Sequence, residues 1–251
     1  MVADSAADSL AEPQAELEPP RRTAWSEALE ALLVAVLFAT FARGFVVQAF
    51  KIPSGSMEQN LLVGDHILVN KFIFGPSSAL ERWFLPARPV RRGDVVVFKF
   101  PEDPGRDFVK RCVGLPGDRV ELVNKKLSVN GTPIDESAYV YLSDPLTFPA
   151  GFASGPQGLR DNYPPFEVPA DHYFCLGDNR DNSNDSRAWG PVPRGYLKGR
   201  AVMVYWSVTP APEGEGSIPP ASSLGKLGRF FSSWSRLVGG TRWQRCFKVV
   251  R

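Results

Sequence analysis

The sequence is poor in the residues that build metal sites and covalent frameworks. Its 251 residues include three cysteines and two histidines. Cys112, Cys175 and Cys246 form no C-x-x-C pair, and with His66 and His172 they give no zinc-ligand spacing, so no metal is expected. A Cys112–Cys175 bridge and two buried free thiols both stay open as readings. Charge of one sign is also lacking. The 29 basic residues nearly balance the 27 acidic ones, and a formal charge of +2 gives no footing for nucleic acid. The most apolar uncharged run, Ala31 to Ala42, has 12 residues, short of the roughly 20 that a bilayer-spanning helix needs.

The charge that is present is unevenly spread. Residues 1–23 carry Asp4, Asp8, Glu12, Glu16 and Glu18 among Ala and Pro, without an apolar period, and are expected to be a disordered acidic tail. Such acidity does not fit an organelle transit peptide. Residues 24–50 extend the apolar run past Arg43, which can snorkel to an interface, while Trp25 can anchor the other end. A buried core helix and a cleaved secretory signal compete with a membrane anchor here. The chain offers the helix no helical packing partners, and the acidic stretch before it is unlike a signal peptide. A single transmembrane anchor is therefore expected, with Arg21 and Arg22 on the cytoplasmic side.

From residue 51 to 209 short β runs replace the helical pattern. "HILVNKFIF", "DVVVFKF", "HYFCLGDN" and "GRAVMVYWSV" read as strands. "RDFVKRCVGL" alternates, with Phe108, Lys110 and Cys112 on one face and Val109, Arg111 and Val113 on the other. "GDRVELVNKKLSVNGTPI" reads as a hairpin followed by an Asn130-Gly131 turn. The predicted fold is mainly β: one N-terminal transmembrane helix, then an antiparallel β-sheet domain. Residues 143–170, dense in Pro and Gly, read as a peripheral insertion. Residues 210–251 read as a linker and a basic amphipathic segment, with Leu227, Phe230, Phe231, Trp234, Leu237 and Val238 on one helical stripe. That segment fits either an anionic membrane surface or a docking site on the β domain.

Three stretches carry chemistry. "KIPSGSMEQN" at 51–60 places Ser54-Gly55-Ser56 just beyond the apolar helix. A serine hydroxyl needs a base to become a nucleophile. Neither His66 nor His172 lies in a nucleophile-elbow pattern, whereas Lys110, in mid-strand, could serve if burial kept it neutral. An edge-strand lysine in solvent is the plainer reading of the spacing alone. "GDNRDNSNDSRAWG" at 177–190 packs Asp178, Arg180, Asp181, Asp185 and Arg187 around Ser183 and Ser186. It fails as a calcium loop, since Ser186 and Val192 stand where that loop needs Gly and a bidentate Glu. A self-satisfied turn loop with internal ion pairs is the other reading.

Taken in this order, "PSGSM", "GDHILVNK", "RRGDVVVF", "VKRCVGLPGD" and "GDNRDNSNDSR" make the chain resemble bacterial type I signal peptidases over residues 30 to 209. The resemblance implies a Ser–Lys dyad. Ser56 would be the nucleophile and Lys110 the general base. Ser183 would orient Lys110 by a hydrogen bond, and the Ser56 N–H with the Ser54 hydroxyl would form the oxyanion hole. Phe50, Ile52, Met57, Leu61 and Val109 would line shallow pockets for small residues at −3 and −1. Arg111, Asp178, Arg180, Asp185 and Arg187 would hold the site through ion pairs.

It also implies a plasma-membrane protein with a cytoplasmic N-terminus and its catalytic domain on the outer face. Its partners would be signal peptides of exported pre-proteins and the phospholipid membrane, with no nucleic acid, cofactor or obligate protein partner. Two readings compete with it: a self-cleaving Ser–Lys repressor, which should have a DNA-binding domain and no anchor, and an inactive membrane-anchored binding protein, which should have lost Ser56, Lys110 or Ser183. One departure stands out. The family usually has Pro-Thr three and four residues after the nucleophile, where this chain has Gln59-Asn60.

Overall fold

The computed structural model describes residues 24–41, 47–74, 88–151, 158–210 and 239–250, in two units divided after Phe41. The described residues of the first unit form one helix, α1 (Ala24–Phe41). Its described side chains are exposed, including Trp25, Leu33, Leu37 and Phe38. At 1.5 Å per residue its 18 residues reach about 27 Å. No helix among the described residues is long and apolar enough to cross a membrane. The predicted anchor continues into residues 42–46, which lie outside the described residues, as do the acidic tail and the stripe from Leu227 to Val238.

The second unit is antiparallel β. Its larger sheet contains β1 (Val47–Lys51), β2 (Asp65–Asn70), β3 (Val95–Phe100), β4 (Asp103–Gly114), β9 (His172–Leu176), β10 (Val192–Pro193), β11 (Leu197–Ser207) and β12 (Lys248–Val249). The order is β1-β2-β11-β3-β4-β9-β10, with β12 also on β11. The smaller sheet has the order β7-β6-β5-β8, from β5 (Arg119–Val123), β6 (Lys126–Val129), β7 (Thr132–Pro133) and β8 (Tyr163–Glu167).

The side-chain period of two fixes which face each residue serves. In β2, Ile67 and Val69 point inward, with intermediate residues between them. In β3, by contrast, both faces are covered. Val95 and Val97 join a core with Ile52, Met57, Leu61 and Val204, while Val96 and Phe98 join Cys112, Cys175 and Val192 on the other side. A strand buried on both faces needs an uninterrupted apolar run, which accounts for "VVVF". The β5–β6 hairpin turns at Asn124 and Lys125, with φ of 51° and 66°. Positive φ at both central residues matches the tight turn that the right-handed twist of paired strands prefers.

One expectation changes, and the end of the C-terminal segment takes one of the two readings left open for it. The 143–170 segment contributes β8, which pairs with β5, so it is built into the smaller sheet. The end of the C-terminal segment docks on the β unit: β12 pairs with β11, and Arg242 and Arg245 both reach the fully buried Asp65. A buried carboxylate requires cations, and these two supply them.

Candidate active site

Ser56 lies in a single turn of 3-10 helix, Gly55–Met57. Its place in the first turn leaves its N–H without an intrahelical acceptor. The Met57 side chain plugs the turn into the core, and the Leu61 N–H closes the following bend on the Met57 carbonyl at 2.8 Å. A second clamp comes from the 177–187 stretch. The Asn179 N–H donates to the Ser56 carbonyl at 3.1 Å, and Asn179 Nδ2 reaches the Gly55 carbonyl and Glu58 Oε2.

Lys110 comes from the middle of β4, with 3% of its surface exposed. Its Nζ stands 2.5 Å from Ser56 Oγ. Burial is the main cause that brings the ammonium down to about 8; Asp185 pulls it back up, Arg187 pushes it down, and Asp178 adds a smaller upward pull. An amine of that kind is partly neutral near neutral pH and can accept the proton of an adjacent hydroxyl.

The five charged residues Arg111, Asp178, Arg180, Asp185 and Arg187 lie in three separate ion pairs. Arg111 grips Asp178 with two bonds of 2.7 Å, both side chains being buried. Asp185 caps the one-turn helix Ser186–Trp189, pairs with Arg187 and accepts the Gly177 N–H. Arg180 pairs with Glu136, which no sequence motif singled out. Arg187 also donates to the carbonyls of Arg180 and Arg160, tying the loop to the 143–170 segment. Isolated charges at this depth would be prohibitively desolvated, and bidentate guanidinium–carboxylate geometry offsets that cost.

Ser183 departs from expectation. Its Oγ is buried and has no hydrogen-bond partner among the described residues, so the bond to Lys110 is not made. The hydroxyl instead lies against Gly177, where a Cβ would meet it at 2.2 Å. Leu61 is a second correction. It is fully buried in the core with Met57 and Ile52 and does not line the cleft. The cleft, of about 580 Å³, is lined by Phe50, Ile52, Ser54, Ser56, Met57, Val109 and Lys110, with Arg106, Asp107, Asn182 and Asn184 around them.

The histidines are engaged elsewhere. His66 stacks on Trp206 at 5.0 Å, and His172 Nδ1 bonds the Ala170 carbonyl. Cys112 and Cys175 are opposite each other in the β4–β9 register, both buried and both free, so the unbridged reading holds. Sequence reasoning missed Glu136 and the pairing of Asp65 with Arg242 and Arg245, and it noted Asn60 and Asn179 only as members of motifs. The partners of all of these lie more than forty positions away in the chain.

Comparison with known proteins gives the family. The family model described as signal peptidase, peptidase S26, matches residues 25–206. Signal peptidase I of Pseudomonas aeruginosa is 39% identical over 217 residues, covering 76% of this chain and 76% of the relative. Signal peptidase I of Pseudomonas fluorescens is 37% identical over 205 residues, covering 68% and 69%. Probable signal peptidase I-2 of Synechocystis is 36% identical over 197 residues, covering 76% and 78%. The chain belongs to the S26 family of signal peptidases, serine endopeptidases of the bacterial type I kind.

Proposed function

We propose that this protease cleaves signal peptides from exported pre-proteins with a Ser56–Lys110 dyad, after small residues at −3 and −1. The observation that carries the reading is the 2.5 Å approach of a buried lysine to a serine on a separate element. With Lys110 neutral, the Ser56 O–H donates to Nζ, and Oγ attacks the scissile carbonyl as Lys110 takes the proton. The Ser56 N–H and the Ser54 hydroxyl receive the developing oxyanion. Ser54 is extended and exposed, and its side chain makes no capping bond to the turn, which leaves the hydroxyl available. The Lys110 ammonium then donates its proton to the leaving amine, giving an acyl-enzyme on Ser56. A water molecule then attacks the acyl carbonyl as Lys110 takes one of its protons; the Ser56 Oγ leaves, regains that proton from Lys110, and the product departs as a carboxylic acid.

Phe50, Ile52, Met57 and Val109 wall the cleft around the serine. In this proposal they accept alanine-sized groups at −3 and −1 and reject larger ones by overlap. The membrane anchor belongs to the same proposal, but the expected bounds of 24–50 are too long, because Val47–Phe50 lie in β1 and pair with β2. Its support is the run of exposed Leu, Val and Phe on α1, which favours an apolar surrounding. The catalytic unit would then stand on the outer face of the plasma membrane, where the substrates are tethered. The test is cleavage of a pre-protein with Ala at −3 and −1 by the full chain in liposomes. Ser56→Ala and Lys110→Ala should each abolish cleavage while the β unit stays folded; activity in either variant removes the dyad.

A further inference from the structure

The Gln59-Asn60 departure lies in the bend that follows the nucleophile, and the structure gives it a physical basis. Gln59 has φ of 74°, a left-handed conformation closed to proline, whose ring fixes φ near −65°. Asn60 then turns back toward the site. Its Nδ2 donates to Asp178 Oδ2 at 2.8 Å and to the Tyr139 carbonyl at 2.9 Å. Its own carbonyl accepts from Arg245 Nη2 at 2.9 Å. Arg245 is itself fixed by Asp65 Oδ2 at 2.6 Å, and Asp178 by Arg111. Arg111 is the chain neighbour of Lys110.

An unbroken path of direct bonds therefore runs from the Ser56 turn through Asn60, Asp178 and Arg111 to the strand that presents Lys110. We propose that Asn60, held from the far side by Arg245 of the C-terminal segment, is a positioning residue that keeps the Ser56 turn in register with the Lys110 strand. This rests on the reading that Ser56 and Lys110 perform the cleavage. The amide suits the task because one NH₂ can serve two acceptors at once, a carboxylate and a carbonyl. Small displacements of a nucleophile are expensive in rate, about 100-fold for 1 Å.

The test is steady-state cleavage of one pre-protein by the full chain in detergent, comparing wild type with Asn60→Ala, Asn60→Thr and Asn60→Val, and with Ser56→Ala as a separate control. Asn60→Ala should lower kcat roughly 10- to 100-fold and leave KM within about 2-fold, because Asn60 acts on the nucleophile and not on bound substrate. Asn60→Thr, which retains one donor, should recover most of kcat, and the isosteric Asn60→Val should not. An unchanged kcat in Asn60→Ala, a loss confined to KM, or equal activity in the Thr and Val variants would each overturn the proposal. The Thr–Val comparison decides the matter if the Ala variant does not fold. Activity retained by Ser56→Ala would instead sink the dyad reading, a different failure from any of these.

Discussion

Gly177 and Ser183 are packed so closely that a Cβ on the glycine would lie 2.2 Å from the Ser183 Oγ. The same Cβ would meet the Ser56 carbonyl at 2.6 Å. A single methyl group at this position would therefore push on the Ser56 turn and on the 177–187 loop together. Gly177→Ala should reduce kcat by roughly 100-fold, since backbone cannot move aside as a flexible side chain can. The measurement is kcat for pre-protein cleavage beside a thermal melt; wild-type kcat would show that the two segments can separate without harm.

The pH dependence follows from Lys110. Burial brings its ammonium down to about 8, and in the proposed dyad only the neutral amine takes the Ser56 proton. The rate should be low at acidic pH and rise to a plateau as pH passes about 8. A kcat/KM profile over pH checks this. A limb in the histidine range near 6.5, lost in His66→Ala or His172→Ala, would show that another base operates.

Stability should change in the opposite sense from activity when Lys110 is removed. Below its folded-state value the native protein must hold a buried ammonium, and the unfolded chain does not. The protein should therefore gain stability as pH rises from about 8 toward 10.5, where the unfolded state still binds the proton and the folded one has lost it. Lys110→Met should be inactive, more stable than wild type at pH 7 by up to about 3 kcal/mol, and without that rise. Urea unfolding at several pH values reads both effects.

The Arg111–Asp178 pair should be costly to break from one side. Both side chains are buried, and loss of either leaves the other charge stranded. Asp178→Ala and Arg111→Met should each destabilise the β unit by roughly 3–5 kcal/mol. Arg111→Lys should not rescue, because an ammonium lacks the fork that spans both carboxylate oxygens. Equilibrium unfolding measures the loss.

Gln59 gives a test of backbone conformation alone. With φ at 74°, Gln59→Gly should be neutral or slightly stabilising, whereas Gln59→Pro should impair both folding and cleavage. A tolerated proline would mean that the bend adopts another conformation in solution.

Much of the site was legible where the chemistry is local. Strand β4 shows its alternation directly, so Lys110 could be placed on a defined face. The turn residues Asn130 and Gly131 adopt φ of 53° and 77°, as their types suggest. The Ser183 orientation was not legible, because which neighbour a hydroxyl meets depends on how closely Gly177 approaches it. Leu61 shows the same limit: an apolar residue five positions after Ser56 could line the cleft or fill the core, and only packing against Ile67 and Val204 decides it.

In the sequence by itself, alternation and turn residues within short windows were enough to give the β character of the second unit. The candidate nucleophile, base and ion-pairing residues came from the resemblance of five short motifs to a known family, since spacing alone left a solvent lysine and a self-contained turn loop open. Tertiary structure alone decided that Lys110 meets Ser56, 54 positions earlier, and loses its water there. It also decided that Arg245 from the chain's end holds Asn60, 185 positions away. Contacts of that range depend on sheet order and register, and the desolvation that sets a lysine's protonation exists only when the strands around it have closed.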